Sequence, residues 1–115
     1  MPHPLPIDHV AVPSNDIARS VEHYTSHFGG EVLYQDDTWA FVKMGDVKLA
    51  FVTPSQHPPH VAFHVDLDDL QKRADAAGVE VEEHRDGTRG IYLKDPDGNA
   101  VELICYPDGK TPYEK

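Results

Sequence analysis

His9-Val10-Ala11-Val12 and His60-Val61-Ala62-Phe63 are one short strand written twice, and each opens a half-chain of the same layout. A helix pattern follows each, then a glycine at the helix end, then three strand-like runs. Ala50, midway along the last run of the first half, lies 41 positions after His9; Glu102, at the matching place of the second, lies 42 after His60. The chain is therefore a tandem of two similar units, and internal repetition of this kind governs every later reading. It also sets two histidines and a glutamate at equivalent points of a pseudo-twofold arrangement.

Working outward, Leu5 to Val12 reads as a strand halted by Pro13, after which Ser14 or Asn15 is expected to cap a helix. Ile17, Val21, Tyr24 and Phe28 recur at helical spacing on one face, and Gly29-Gly30 ends the helix. Strands are predicted over 31–36, 38–44 and 47–53, separated by turns at Asp36-Asp37 and Gly45-Asp46. A linker with three prolines spans 54–59 and favours an extended path. The second half repeats the plan. A strand at 60–65 precedes a helix capped by Asp66, with Leu67, Leu70, Ala74 and Ala77 inward and Gly78 closing it. Strands over 79–84, 90–94 and 99–106 follow, the last two joined by the tight-turn sequence Asp95-Pro96-Asp97-Gly98. This predicts one α+β domain over 1–115: module one at about 5–53, module two at about 59–106, and a loose tail at 107–115.

Side-chain alternation separates the faces of these strands. Val10 and Val12 oppose His9 and Ala11; Val47, Leu49 and Phe51 oppose Lys48, Ala50 and Val52. In the second half Val61, Phe63 and Val65 oppose His60, Ala62 and His64, and Val101, Leu103 and Cys105 oppose Ala100, Glu102 and Ile104. Each strand gives one face to a helix and carries small residues, His or Glu on the other. The expectation is of curved mixed sheets with helices outside and a site in the concavity.

Two neutral imidazoles and a carboxylate suit Zn, Ni, Co, Mn or Fe(II), with open positions left for chemistry. Such an ion polarises a substrate oxygen as a Lewis acid. Taken singly, His9 or His60 could be a satisfied strand histidine and Glu102 the partner of a lysine. Their matched phase, and the cost of an unpaired carboxylate between Val101 and Leu103, favour a cation. Of the other histidines, His3, His23, His27 and His84 read as solvated surface and His57 as linker surface. His64 shares the face of His60 two pleats along, and its near-neutral pKa suits general acid–base work on a bound substrate.

Bulk properties bound the partners. With 115 residues, 39% hydrophobic and 26% charged, this is an ordinary small globular chain. A net charge of -10 excludes nucleic acid and anionic membrane as partners, since both need a basic surface. No run approaches a membrane span and Met1-Pro2-His3-Pro4 is not a signal-peptide start. A single cysteine, Cys105, permits no intrachain disulfide and points to the cytoplasm.

These residues resemble the vicinal oxygen chelate superfamily, which includes glyoxalase I, fosfomycin-resistance enzymes, methylmalonyl-CoA epimerase, extradiol dioxygenases and bleomycin-binding proteins. The resemblance runs over about 5–106: Ile7-Asp8-His9-Val10-Ala11-Val12 with Asn15-Asp16 to Phe28-Gly29, then Pro59-His60-Val61-Ala62-Phe63, then Asp95-Pro96-Asp97-Gly98-Asn99 with Glu102. It implies paired βαβββ modules, a divalent metal ion at His9, His60 and Glu102, a small-molecule substrate, and a homodimer with sites shared between subunits. It implies an enzyme of glyoxalase type in the broad sense: lyase, isomerase or thiol transferase. An Fe(II) ring-cleaving dioxygenase and a non-catalytic dimer that sequesters a drug-like ligand are the alternatives. Where glyoxalase I and the epimerases carry a further ligand, this chain has Ala50, which can neither ligate nor abstract a proton. Tyr92 matches a substrate-contacting tyrosine of the fosfomycin enzymes, whereas Glu82 stands where those enzymes place a cationic lysine.

Overall fold

The computed structural model describes residues 4–84 and 87–106; the expected tail at 107–115 lies outside them. The chain is α+β and builds the βαβββ plan twice: β1 (Ile7–Pro13), α1 (Ile17–Phe28), β2 (Glu31–Gln35), β3 (Trp39–Met44) and β4 (Val47–Val52), then β5 (His60–His64), α2 (Leu67–Ala77), β6 (Glu82–Glu83), β7 (Arg89–Lys94) and β8 (Ala100–Cys105). Two compact units result, Asp8–Val61 and a second that joins residues 62–106 to residues 4–7. The strand order is β2-β3-β4-β1 in the first and β6-β7-β8-β5 in the second, so the repeated sequence folds with repeated topology.

In the first unit β1 runs parallel to β4, with His9 opposite Lys48 and Ala11 opposite Ala50. Antiparallel β3 continues the sheet, with Phe41 opposite Ala50. Helix α1 lays Ile17 and Val21 on Ala40, Val42 and Phe51, with Val12, Tyr24, Met44 and Leu49 packed around them. Each fully buried side chain of this kind is worth about 1.5–3 kcal/mol. Gly30 lacks a side chain for steric reasons, because a Cβ there would meet Val42 and Met44 at 2.4 and 2.6 Å. The helix cap falls on Asp16, whose carboxylate accepts from the Arg19 amide; Ser14, two residues earlier, is buried and bonds Ser20 instead. Phe28 is 61% exposed, contrary to its place in the helical stripe, because it is the last helical residue before the left-handed Gly29 and lies against His23, Tyr24 and His27 on its own helix.

In the second unit α2 buries Leu70 and Ala74 against Val65, Ile91 and Leu103, with Leu5, Phe63 and Cys105 beside them. The cap on Asp66 and the stop at Gly78 are as expected. Leu67 and Ala77, at the two ends of the helix, are exposed rather than inward. Leu5 belongs with this core, so the predicted first strand is divided between the units. Strand β6 is reduced to two residues, since Glu80, Glu82 and Glu83 crowd like charge onto an edge. Among the described residues no helix is long and apolar enough to cross a membrane.

The linker does not run extended. The amides of Gln56 and His57 both donate to the Thr53 carbonyl, so the chain turns as soon as β4 ends. His57 is exposed within it, as expected.

Candidate functional site

Strand β1 holds His9 at 6% exposure, and the start of β5 holds His60 at 8%. Both lie in the first unit, with ring centroids 5.4 Å apart at 73°. Their outer nitrogens are defined by what holds the inner ones. His60 Nδ1 stands 2.9 Å from the Pro58 carbonyl, which can only accept, so Nδ1 carries the proton and Nε2 the lone pair. His9 Nδ1 stands 2.6 Å from the carboxylate of Asp8, and the same logic applies. A histidine with Nδ1–H donated to a carbonyl or carboxylate is the arrangement in which metal-ligating imidazoles occur.

Sequence reading missed the group behind His9. Asp8 and Lys48 are 6% and 7% exposed, and the Lys48 ammonium donates to the second oxygen of the Asp8 carboxylate at 3.2 Å. The signal available was Lys48 on the same strand face as Ala50; the missing knowledge was the register that sets it opposite His9. A row of rings also runs away from His9: Phe41 at 5.4 Å, Trp39 at 5.6 Å from Phe41, and Tyr34 stacked on Trp39 at 4.7 Å.

In the second unit Glu102 is 3% exposed on β8, on the face away from α2, and lies directly opposite Tyr92 of β7. The Asp95 carboxylate builds the turn that sets this register, accepting from the amides of Asp97 and Asn99 and from the Asn99 side chain. The Tyr92 hydroxyl is hydrogen-bonded to Glu102; burial first, then the negative charge of Glu102, hold the phenol far above its ordinary range. Glu102 thus has a donor fixing its orientation. His64, half-buried, rests its ring 5.5 Å from that of Tyr106. It is four residues from His60 along β5, about 13 Å at strand rise, further than direct work on an ion at His60 allows. His84 is not simple surface: it is half-buried, with Nδ1 2.9 Å from the Thr88 hydroxyl. His23 and His27 are exposed on α1.

His9 and His60 in the first unit and Glu102 in the second are all buried, and each offers a ligand atom that a metal ion could take. Two neutral imidazoles and a carboxylate fit a divalent transition ion. Paired βαβββ units define a class of fold rather than one reaction. The family model of the Glyoxalase/Bleomycin resistance protein/Dioxygenase superfamily matches residues 6–103, and the chain belongs to that superfamily. It is 28% identical over 112 residues to metallothiol transferase FosB of Staphylococcus haemolyticus, covering 84% of this chain and 81% of that protein. It is 26% identical over 124 residues to the glyoxalase domain-containing protein RDO1 of Mycosarcoma maydis, covering 90% and 70%. Among solved structures, methylmalonyl-CoA epimerase from Mycobacterium tuberculosis superposes with a TM-score of 0.71 at 17% identity, covering 89% of this chain and 88% of that one. A superfamily member from Vibrio splendidus 12B01 gives 0.66 at 16% identity, covering 89% and 99%. These structures share the fold.

Proposed function

We propose that the protein is a divalent-metal-dependent enzyme of glyoxalase type, in which His9, His60 and Glu102 hold one ion and a small oxygen-rich substrate chelates it. The observation that carries this reading is the pair of buried imidazoles, each with its Nδ1 turned to a carboxylate or carbonyl acceptor. When bound, the ion supplies Lewis-acid polarisation of a substrate oxygen. The chain's own residues do the rest. Tyr92 orients Glu102 through its hydroxyl, and a substrate long enough to reach along β5 would meet the His64 imidazole as a proton donor or acceptor. The ring row Phe41, Trp39 and Tyr34 supports a substrate with a planar or apolar part.

Ala50 bears on the choice of reaction. It is 5% exposed on the strand face that also carries Lys48, and opposite Ala11. A methyl there provides neither a fourth ligand nor a base, which favours thiol transfer over proton abstraction by a residue of β4. The likeness to a metallothiol transferase supports the transfer arm. The exposed Glu82 and Glu83 of β6 argue for a substrate without strong negative charge. A reducing cytoplasm is the compartment we propose, because the sequence holds a single thiol, Cys105, which permits no intrachain disulfide. We propose a homodimer as its assembly, the state that the superfamily resemblance implies.

The same donor set serves Fe(II) ring-cleaving dioxygenases, so the test is metal analysis of protein purified without chelators. About one Zn, Ni, Mn or Co per chain is expected, lost in a folded His60→Ala variant. Oxygen-labile Fe(II) would move the assignment to the dioxygenase. Full occupancy in a folded His9→Ala, His60→Ala, Glu102→Gln triple variant would overturn the site, and a metal-free protein that binds planar ligands would be a sequestering one.

A further inference from the structure

We infer that Asp8 and Lys48 are positioning residues for His9: the Asp8 carboxylate, clamped by the Lys48 ammonium, holds the ring in the tautomer and orientation that present Nε2 to the ion. The inference rests on the metal reading above. Asp8 Oδ2 lies 2.6 Å from His9 Nδ1, and its Oδ1 accepts from Lys48 Nζ at 3.2 Å. All three residues are less than 8% exposed, so these contacts are made away from solvent. With one oxygen on each partner, the carboxylate cannot rotate without breaking an ionic hydrogen bond. An ionised carboxylate on Nδ1–H also raises the electron density of the ring, making Nε2 a stronger donor.

Register and packing put Lys48 there. The parallel pairing of β1 with β4 sets it directly opposite His9. Its ammonium stands 5.6 Å from the Phe41 ring centroid, and the His9 ring meets the same Phe41 edge-on at 5.4 Å. One aromatic ring therefore fixes both ends of the Lys48–Asp8–His9 chain. A buried ion pair contributes little net stability against well-packed apolar residues, so stability alone gives no reason for three adjoining polar groups in this strand pair. His60 differs, since a neutral backbone carbonyl backs it. The two histidines should accordingly respond to different substitutions.

The test uses the full chain in Asp8→Ala, Asp8→Asn, Lys48→Met and Lys48→Arg forms. Two readouts are taken: Zn affinity by chelator competition, and the His9 tautomer by 15N NMR of the metal-free protein. The wild-type ring is expected wholly as Nδ1–H. Asp8→Ala should populate both tautomers and weaken Zn binding about 10–100-fold, the usual cost of losing such a partner. Lys48→Met should weaken it less and Lys48→Arg restore it. If Asp8→Ala does not fold, Asp8→Asn, which keeps the shape and removes the charge, carries the same test. Folded Asp8→Asn and Lys48→Met proteins that bind Zn within twofold of wild type sink the positioning role, as does a wild-type ring protonated at Nε2. A folded His9→Ala protein of undiminished Zn affinity would instead sink the metal site itself. Loss in His9→Ala without loss in the Asp8 and Lys48 variants would leave that site standing and remove only the inference.

Discussion

Gly90 shows how closely one residue can govern the candidate site. A Cβ there would lie 2.9 Å from the Leu103 carbonyl, 3.3 Å from the His84 ring and 3.4 Å from Glu102 Oε2. The backbone oxygen cannot withdraw as a flexible side chain would, so Gly90→Ala should push β7 from β8 and shift Glu102. Overpacking of this kind costs about 1–3 kcal/mol. Urea unfolding should show that loss, and Zn affinity should fall with it; a variant of wild-type stability and affinity would mean that the two strands yield freely. Ala50 makes the complementary case. It lies two residues beyond Lys48, which is opposite His9, and therefore shares the face of His9. Ala50→Glu should add a ligand, tighten metal binding and shift the visible spectrum of the Co-substituted protein toward higher coordination. An unchanged spectrum would show that residue 50 does not face the ion. At this scale the sequence is legible where a residue's phase repeats: His9 and His60 occupy matching places, and Glu102 sits out of phase with Val101 and Leu103. Asp8 and Lys48 were not legible as a pair. Forty positions separate them, and only the parallel pairing of β1 with β4 brings them together.

Elements were legible in proportion to the local chemistry that ends them. Gly29 and Gly78 stop their helices in the left-handed conformation, at φ 82° and 70°, where glycine avoids the strain other residues carry. Ser14, Asn15 and Asp16 all have capping side chains, so local sequence leaves the cap of α1 open over three positions; burial of Ser14 on Ser20 leaves it to Asp16. Strand β6 is shorter than its alternation predicts, because alternation does not register the mutual repulsion of Glu80, Glu82 and Glu83. The turn after β7 was the clearest element of all. Asp95 accepts three hydrogen bonds there, and its bonds from Asn99, side chain first, hold the carboxyl below its ordinary pKa of 3.8. A carboxyl depressed in the folded state stabilises above its unfolded pKa and loses that contribution as pH falls through the folded one. The Asp95 contribution should therefore be intact at neutral pH and decline below about pH 4. Asp95→Asn should lower the urea midpoint at pH 7 and then lose less than wild type on going to about pH 3. Equal acid losses in the two proteins would show that the turn carboxylate does not carry this pH dependence.

At the scale of the whole molecule, a repeated sequence gave a repeated topology, and this was the most legible feature of the chain: equal element order in each half and equal strand order in each unit. How the halves share their ends was not legible. Composition made the proline-rich linker an extended spacer, which would hand His9 of one chain to His60 of another. Two amide bonds to the Thr53 carbonyl turn the linker at its start, and within the single chain His9 meets His60 in the Asp8–Val61 unit. Three prolines fix φ at their own positions but leave the residues before them free to close a turn, and Thr53 to His57 use that freedom. The consequence is a complementation experiment. Mixing metal-free His9→Ala protein with His60→Ala protein, after unfolding and refolding together, should restore no Zn binding, because neither chain owns an intact histidine pair. Exchanged modules would pair wild-type His9 of one chain with wild-type His60 of the other, and would recover about one site per mixed dimer. Dimerisation alone does not decide the matter, since a dimer of chains with internal histidine pairs would also fail to complement. Recovery of Zn binding in the mixture, scaled to the fraction of mixed dimer, is the result that would return the histidine pair to the subunit interface.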